Sequence, residues 1–290
     1  MLRKKGKLTV FIVGLGQIGA SLGYDLMTSR TIAGVIGYDK NPAACNIARR
    51  KRAISDIARS IAEGIAASDI IILATPIQET IKLLPLVCKT TISSQIVIDV
   101  SGTKSEISRK LKTLNCRAAY FSCHPIAGSE MSGIVGARKG MFKKATFVVV
   151  SHNGFDRNLL STVTNLIKSI GALPLTMDAK THDRIIALTS NLPYVIALSL
   201  AELTASQSKK MTEVWNLAGG GLRSAVRVAM SSPDLTFDML STNRANVGSS
   251  IDLMIEQLKY MQRLIHNRDD LMLKRIIARA NKVAAKVHNG

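Results

Sequence analysis

Of the five histidines in this chain, His124 has surroundings suited to a ligand. It lies in Cys123-His124-Pro125-Ile126-Ala127-Gly128-Ser129-Glu130-Met131-Ser132-Gly133, a run of small residues that follows an apolar strand pattern. A neutral imidazole, with an ordinary pKa of about 6.5, takes a proton from a substrate hydroxyl as its hydride leaves. His182, next to Asp183, opens a helical pattern and reads as a capping or boundary residue, while His152, His266 and His288 read as surface residues. Cys116 and Cys123 have no zinc-binding spacing with His124, so no metal site is expected.

A second constellation sits near the N-terminus. Gly14-Leu15-Gly16-Gln17-Ile18-Gly19 follows an apolar strand pattern and leads into a helical one. In such a turn the first glycine allows the tight bend, the second lets the backbone approach a pyrophosphate, and the third lets helix pack on strand. Asp39 ends the next strand pattern, where a carboxylate accepts hydrogen bonds from the ribose hydroxyls of a dinucleotide. A carboxylate there repels a 2′-phosphate, so NAD is expected over NADP, although Lys40 and the Arg49-Arg50-Lys51-Arg52 cluster stand nearby in sequence. Thr75-Pro76 and Ser101-Gly102-Thr103-Lys104 also follow strand patterns, at the sheet edge where open α/β sheets bind ligands. The expected cofactor set is therefore Gly14, Leu15, Gly16, Gln17, Ile18, Gly19, Asp39, Thr75, Pro76 and Ser101.

The third is Leu217-Ala218-Gly219-Gly220-Gly221-Leu222-Arg223-Ser224-Ala225-Val226-Arg227. Three glycines in otherwise helical sequence imply a bend or a close backbone approach. Arg223 and Arg227, four apart, share a helix face, where a guanidinium can clamp a carboxylate or pair instead with Asp234 or Asp238.

The elements that must position these residues fall into two groups. Up to residue 176, short apolar runs (7–13, 33–38, 70–74, 95–100, 119–122, 146–151) alternate with amphipathic stretches such as 21–29 and 42–52, the pattern of a parallel sheet with crossover helices. From 177 the pattern is helical, over 181–205, 212–228 and 247 to the end. Residues 185–201 are uncharged but short for a membrane span and interrupted by Thr189, Ser190, Asn191 and Pro193, so they read as a buried helix.

The composition is globular: 290 residues, 47% hydrophobic and 20% charged, with a mean hydropathy of +0.17, which excludes a disordered tail. The net charge of +19 raises a nucleic-acid reading, yet the excess is spread over residues 1–52, 53–176 and 177–290. Aromatic residues at 4% leave few stacking platforms, so no specific nucleic-acid partner is expected. Four cysteines without paired spacing, and no signal pattern, point to a cytoplasmic protein with free thiols.

Together these motifs resemble the prephenate/arogenate dehydrogenase family over nearly the whole chain. The likeness rests on GLGQIGASLG at 14–23, Tyr38-Asp39 with Asn41-Pro42, DVSGTK at 99–104, HPIAGSEMSG at 124–133, His182-Asp183 with SNLPYV at 190–195, and GGGLRSAVRVAMSSPDL at 219–235 with Thr242-Asn243-Arg244. The resemblance implies an α/β Rossmann domain, doubly wound and mainly parallel, at 1–176. It implies an all-α domain at 177–290 that binds an anionic small molecule and forms a homodimer. The implied reaction is NAD-dependent oxidative decarboxylation of prephenate to 4-hydroxyphenylpyruvate, of arogenate to tyrosine, or of both. His124 then deprotonates the ring hydroxyl, Arg227 meets a substrate carboxylate, and Glu130, Ser190, Asn191, Tyr194 and Gly220 lie on the substrate side.

The chain departs from the family pattern in three places. Members commonly carry Gly-Ser where this chain has Ser101-Gly102, the serine bonding the catalytic histidine, so Ser101 or Thr103 is expected to take that contact. Asn191 and Tyr194 stand where many members have two histidines around Leu-Pro, and Thr236 where some prephenate-using members have tryptophan. Two other readings remain open at this point. A β-hydroxyacid-type dehydrogenase would use a lysine in its helical part, in a glycine-rich setting that no lysine here has. A homologue that binds NAD without turnover is the other.

Overall fold

The computed structural model describes residues 6–128, 131, 133–152 and 157–289. Eight strands form one sheet: β1 (Leu8–Val13), β2 (Ile32–Tyr38), β3 (Asp56–Ile57), β4 (Ile70–Leu73), β5 (Ile96–Asp99), β6 (Ala119–Pro125), β7 (Thr146–His152) and β8 (Leu173–Thr176). Their spatial order is β3-β2-β1-β4-β5-β6-β7-β8, parallel throughout except for the antiparallel pair β6–β7. The order reverses between β1 and β4, and a crevice outside the C-terminal strand ends at such a point is the usual ligand site.

The helices in the sheet region are α1 (Gln17–Leu26), α2 (Pro42–Arg50), α3 (Ile61–Ala66), α4 (Ile77–Thr90), α5 (Ser105–Leu111) and α6 (Arg157–Ser169). Strand alternation sends Val10, Ile12, Ile70, Ile72, Ile96 and Ile98 to the face covered by α1, α2 and α6. Phe11, Val13, Ile71, Leu73 and Val97 go to the other face, under α3, α4 and α5. Burial on both sides explains why β4 (IIIL) and β5 (IVID) read as unbroken runs, not as alternating patterns.

The helical part contains α7 (Ala179–Ile186), α8 (Leu192–Ser208), α9 (Gly220–Val226), α10 (Pro233–Ser241), α11 (Arg244–His266) and α12 (Asp270–Asn289). Contacts divide the chain into residues 1–243 and 244–290. Helices α7 to α10 thus belong with the sheet, which their buried hydrogen bonds to its edge explain. The second unit is a helical hairpin, α11 turning into α12 through Arg268 at φ 53°, and α12 has no buried side chain among its described residues.

Four expectations need correction. Strand β6 runs through His124 and Pro125 and so carries the histidine itself, because its pairing with β7 extends to Pro125–Phe147. The stretch 212–228 is not one helix: Thr212–Val214 is a 3₁₀ turn, Gly219 caps α9, and Arg227–Met230 is a second 3₁₀ turn. The glycines begin a helix instead of bending one, and a methyl on Gly220 or Gly221 would meet nothing within 4 Å. Finally, α7 and α8 join through a π turn at Ala187–Asn191 into a 30-residue helix long and apolar enough to cross a membrane. It is not a buried helix. Only 28% of its apolar window is covered, and Ile185, Leu188 and Leu203 are exposed.

At Gly64 on α3, an added methyl would lie 2.2 Å from the ring of Phe11, which is fully buried. Gly64→Ala is therefore expected to destabilise the protein by about 1–3 kcal/mol through overpacking. Thermal unfolding followed by circular dichroism measures this, and an unchanged melting temperature would show that the Phe11 ring yields at no cost.

Candidate active site

The glycine turn has the three features its spacing predicts. Gly14 has φ 93°, and a methyl there would lie 2.7 Å from the Ala74 carbonyl oxygen, so the tight bend excludes a side chain. Gly19 lies so close to the Gly14 carbonyl that a methyl would come within 1.9 Å of it, which lets α1 pack against the turn. Gly16, by contrast, would direct a methyl into open space, and as N-cap of α1 it offers no side-chain acceptor to the first helical N–H groups. Open space in front of uncapped N–H groups fits a dinucleotide pyrophosphate.

The other expected cofactor residues divide by exposure. Leu15 is fully buried, and its N–H donates to Asp39 Oδ2 at 2.7 Å. Asp39 Oδ1 accepts the Asn41 N–H at 2.8 Å, so this carboxylate fastens the turn to the end of β2 while each oxygen keeps a second lone pair. Gln17 and Ile18 are half-buried, and the Gln17 amide reaches the segment after β6, at Gly128 and Gly136. Thr75 packs its methyl toward Gly14 and bonds Thr80 at 2.8 Å, and Pro76 caps α4.

Next along the same edge, the ends of β5 and β6 hold a buried charge pair. Lys104 Nζ donates to Asp99 Oδ1 at 2.9 Å and to the Cys123 carbonyl at 2.5 Å, with both charged side chains fully buried. Ser122 Oγ donates to the other Asp99 oxygen. Lys104 thus ties β5 to β6 one residue before His124.

His124 Nδ1 lies 3.0 Å from His182 Nε2, and His182 Nδ1 lies 2.8 Å from Asp183 Oδ1. The rings of the two histidines meet edge to face. Asp183 also accepts the N–H groups of Lys104 and Ser105, at 2.8 Å each, and so caps α5 from a distant part of the sequence. Burial opposes ionisation of Asp183, but hydrogen bonds from His182, Ser105 and Lys104 outweigh it and hold its carboxyl below the usual value. A carboxylate only accepts, so His182 Nδ1 carries a proton. In neutral His182 the Nε2 is then an acceptor, His124 Nδ1–H donates to it, and the lone pair of His124 resides on Nε2.

This arrangement corrects the sequence reading in several places. His182 is not a boundary residue but a buried partner of His124. It takes the contact expected of Ser101 or Thr103: Thr103 bonds Thr242 at 2.7 Å, and the buried Ser101 hydroxyl has no hydrogen-bond partner. Asn191 is fully buried, its carbonyl accepting from Asn243 Nδ2 at 2.9 Å, so it supports the site from within instead of facing a ligand. The same Asn243 nitrogen donates to the Asp183 carbonyl at 2.8 Å. His152 is not a surface residue either: it sits half-buried with its ring against Tyr120 and Nδ1 3.3 Å from Ser108 Oγ.

The remaining expected residues lie on the helices. Ser190 Oγ donates to Met239 Sδ at 3.9 Å. Tyr194 OH meets Ser231 Oγ at 3.1 Å, pinning the residue that ends the Arg227–Met230 turn, and Arg227 itself is exposed. Gly220 is the exposed first residue of α9. Glu130 lies outside the described residues. Sequence reasoning did not assign roles to Asp183, Asp99, Lys104, Ser122 or Asn243, although each except Ser122 lies in one of the quoted motifs.

Comparison with known proteins agrees with this geometry. Residues 23–174 match the family described as prephenate dehydrogenase, nucleotide-binding domain, and residues 178–279 match prephenate dehydrogenase, dimerization domain. The chain is 27% identical over 265 residues to a prephenate dehydrogenase of Bacillus subtilis, covering 91% of this chain and 71% of that one. It is 28% identical over 286 residues to a prephenate dehydrogenase of Lactococcus lactis, covering 97% and 78%. Among solved structures, Synechocystis arogenate dehydrogenase aligns with a TM-score of 0.82 at 26% identity, covering 96% of this chain and 99% of that one.

Replacing Lys104 by Met would leave the Asp99 carboxylate buried without its cation. Breaking a buried pair from one side costs about 3–5 kcal/mol, and urea unfolding of Lys104→Met should show a loss of that size. A loss below about 1 kcal/mol would mean that Asp99 takes up a proton or finds water instead.

Proposed function

The chain belongs to the prephenate dehydrogenase family, and from that premise we propose that it oxidatively decarboxylates prephenate, arogenate or both, with NAD as hydride acceptor. The observation that carries the reading is the hydrogen-bonded run Asp183–His182–His124, on the same sheet edge as the Gly14–Gly19 turn. NAD, when bound, supplies the acceptor for the hydride; the residues of the chain handle the proton and the carboxylates.

His124 Nε2 takes the proton of the ring hydroxyl. The positive charge so created is shared along Nδ1–H toward His182 and the Asp183 carboxylate. As the ring carbonyl forms, the ring carboxylate departs as CO2, its electron pair passes through the ring to that oxygen to make the aromatic phenolate, and His124 returns the proton to it. Arg227 holds a substrate carboxylate, with Tyr194 fixing the turn that carries it through Ser231. Ser190, Gly220 and Glu130 complete the substrate side. The unpaired Ser101 hydroxyl is a donor reserved for bound ligand. Gly14 to Gly19, Thr75 and Pro76 hold the cofactor, and the Asp39 carboxylate selects NAD by repelling a 2′-phosphate.

We further infer that residues 1–176 form the dinucleotide-binding domain and 177–290 the substrate-binding and dimerisation domain. A homodimer would cover the exposed apolar side chains of α7 and α8, such as Leu188 and Leu203, and those of the second unit, such as Leu253, Leu258 and Ile277. The cytoplasm, a reducing compartment, suits the four free cysteines.

The direct test offers prephenate and arogenate, each with NAD and with NADP, and follows reduced nicotinamide by absorbance. Turnover with at least one substrate, and kcat/KM favouring NAD, is expected. No turnover in any of the four combinations would refute the reading.

Among the site residues, His124→Asn should lower kcat by roughly 10²–10⁴-fold with little change in KM, as removal of a general base does. Arg227→Ala should chiefly raise KM. Wild-type kcat in the first variant would place the base elsewhere, and an unchanged KM in the second would remove Arg227 from the carboxylate site.

The pH dependence has a definite sign. Burial first, then the charge of Lys104 and the repulsion that a protonated His182 would add, hold His124 well below its usual 6.5, so the base stays neutral across the physiological range. The acid limb of the kcat/KM profile should therefore fall below pH 6.5. An acid limb above that value would show that His124 gains its proton more easily than its surroundings allow. Stability follows the same sign. The unfolded chain takes this proton before the folded one does, so the contribution present above pH 6.5 is lost as the pH falls below it.

A further inference from the structure

Three side chains of α1 meet the stretch of chain that leaves the catalytic strand. Gln17, Ser21 and Asp25 are spaced by four residues, which places them along one stripe of the helix. Strand β6 carries His124 and ends at Pro125, and the chain beyond it returns to this stripe. At the first position, a methyl on Gly128 would lie 3.2 Å from Gln17 Oε1 and one on Gly136 would lie 2.7 Å from Gln17 Nε2, so the amide fills the space that two glycines leave. At the second, the Arg138 N–H donates to Ser21 Oγ at 3.0 Å, and that hydroxyl donates in turn to the Gln17 carbonyl at 2.6 Å. At the third, the Gly140 N–H donates to Asp25 Oδ1 at 2.7 Å. Ser21 and Asp25 are both buried.

Residues 133–140 have few anchors of their own. Ile134 alone among these eight is buried, and Val135 is 74% exposed. Gly133 and Gly140 take φ of 70° and 73°, and the internal hydrogen bonds make one 3₁₀ turn, Gly136 N–H to the Gly133 carbonyl and Ala137 N–H to that of Ile134. The position of this stretch therefore depends on α1. Of the three side chains in the stripe, Gln17 has a second attribute. It is the first residue of α1, directly after Gly16, so its own backbone N–H belongs to the uncapped group that faces the open space of the glycine turn.

We propose that Gln17 is a positioning residue that couples the cofactor site to the substrate site. It rests on the cofactor residues proposed above. A pyrophosphate held by the first turn of α1 fixes the Gln17 backbone, and the Gln17 amide then fixes residues 133–140, which continue from the strand that carries His124. Ordering this stretch costs conformational entropy. Where the dinucleotide has already met that cost, the substrate binds more tightly, and by linkage the substrate tightens the dinucleotide by the same factor. Ser21 and Asp25 hold the stretch from positions further along the helix, one and two turns away from the phosphates, so Gln17 is the member of the stripe that responds to the cofactor.

The test follows backbone hydrogen exchange by mass spectrometry on peptides from residues 133–142, in the free protein and with saturating NAD. In the wild-type chain NAD should slow exchange there by roughly fivefold or more, the low end of ordinary coupling between two sites. In Gln17→Leu, taken to its own saturating NAD concentration, the first turn of α1 should still be slowed, while exchange over 133–142 should change by less than about 1.5-fold. In turnover assays this variant should raise the substrate KM more than it lowers kcat, because the lost ordering falls on binding. Gln17→Asn, with an amide on a side chain one carbon shorter, should lose the coupling as well and serves if the leucine variant fails to fold. Wild-type exchange over 133–142 that ignores NAD would overturn the proposal. So would a full NAD effect in both variants, or a loss confined to kcat. A wild-type chain that binds no NAD by calorimetry would overturn the cofactor site itself and the proposal with it.

Discussion

Asp183 is the carboxylate on which the active-site geometry depends. It is fully buried, a position in which a charge must be paired or hydrogen-bonded, and it makes three contacts through one side chain. Two are to the N–H groups of Lys104 and Ser105, which open α5 and have no capping side chain of their own. The third is to His182. The capping requirement of a short helix on the sheet is thus met from α7, and the same contact orients the histidine that touches His124. Moving α7 relative to β5 would uncap α5, strand a buried carboxylate and misplace the base together.

Lys104 joins this arrangement from the other side. Its backbone N–H reaches Asp183, and its ammonium reaches Asp99 and the Cys123 carbonyl. A single residue therefore registers β5 against β6 and both against α7. Thr103–Thr242 and Asn243 add links to the end of α10. These buried polar contacts are why residues 177–243 pack as one unit with the sheet, although their sequence grammar changes at 176. In exchange for well-packed apolar contacts, they give geometric uniqueness at the place where angstroms matter.

The sheet was legible in the sequence because its central strands are continuous apolar runs and its connecting helices are amphipathic. The two-residue β3 was not, since Asp56-Ile57 carries no periodic signal. The glycine turn could be read position by position, as each glycine answers a separate local steric demand. The helical half was harder. Its apolar faces are not consumed within one chain, so hydrophobicity at 185–201 did not mean burial. The π turn at Ala187–Asn191 adds a residue to the helical register and turns Asn191 inward, which a 3.6-residue period does not foresee. His182 was visible as a residue but not as a partner, because 58 positions separate it from His124 and only the docking of α7 on α5 brings them together.

The charges around His124 act in opposite senses, and their balance suits a base that must stay neutral until substrate binds. Lys104, already neutralised locally by Asp99, still disfavours a second cation nearby, and burial disfavours any cation at all. Asp183 stands one imidazole further away, too far to raise the resting affinity of His124 for a proton against those effects. Before reaction, the run Asp183–His182–His124 carries one net negative charge in a dry setting; after His124 accepts the hydroxyl proton it carries none. Proton uptake therefore leaves the run with no net charge, and the Asp183 carboxylate lessens, without overcoming, the cost that burial places on an imidazolium at His124. A lone buried histidine would bear the whole of that cost. The interposed His182 lessens it, by carrying the carboxylate's influence to Nδ1 while leaving Nε2 to meet the substrate.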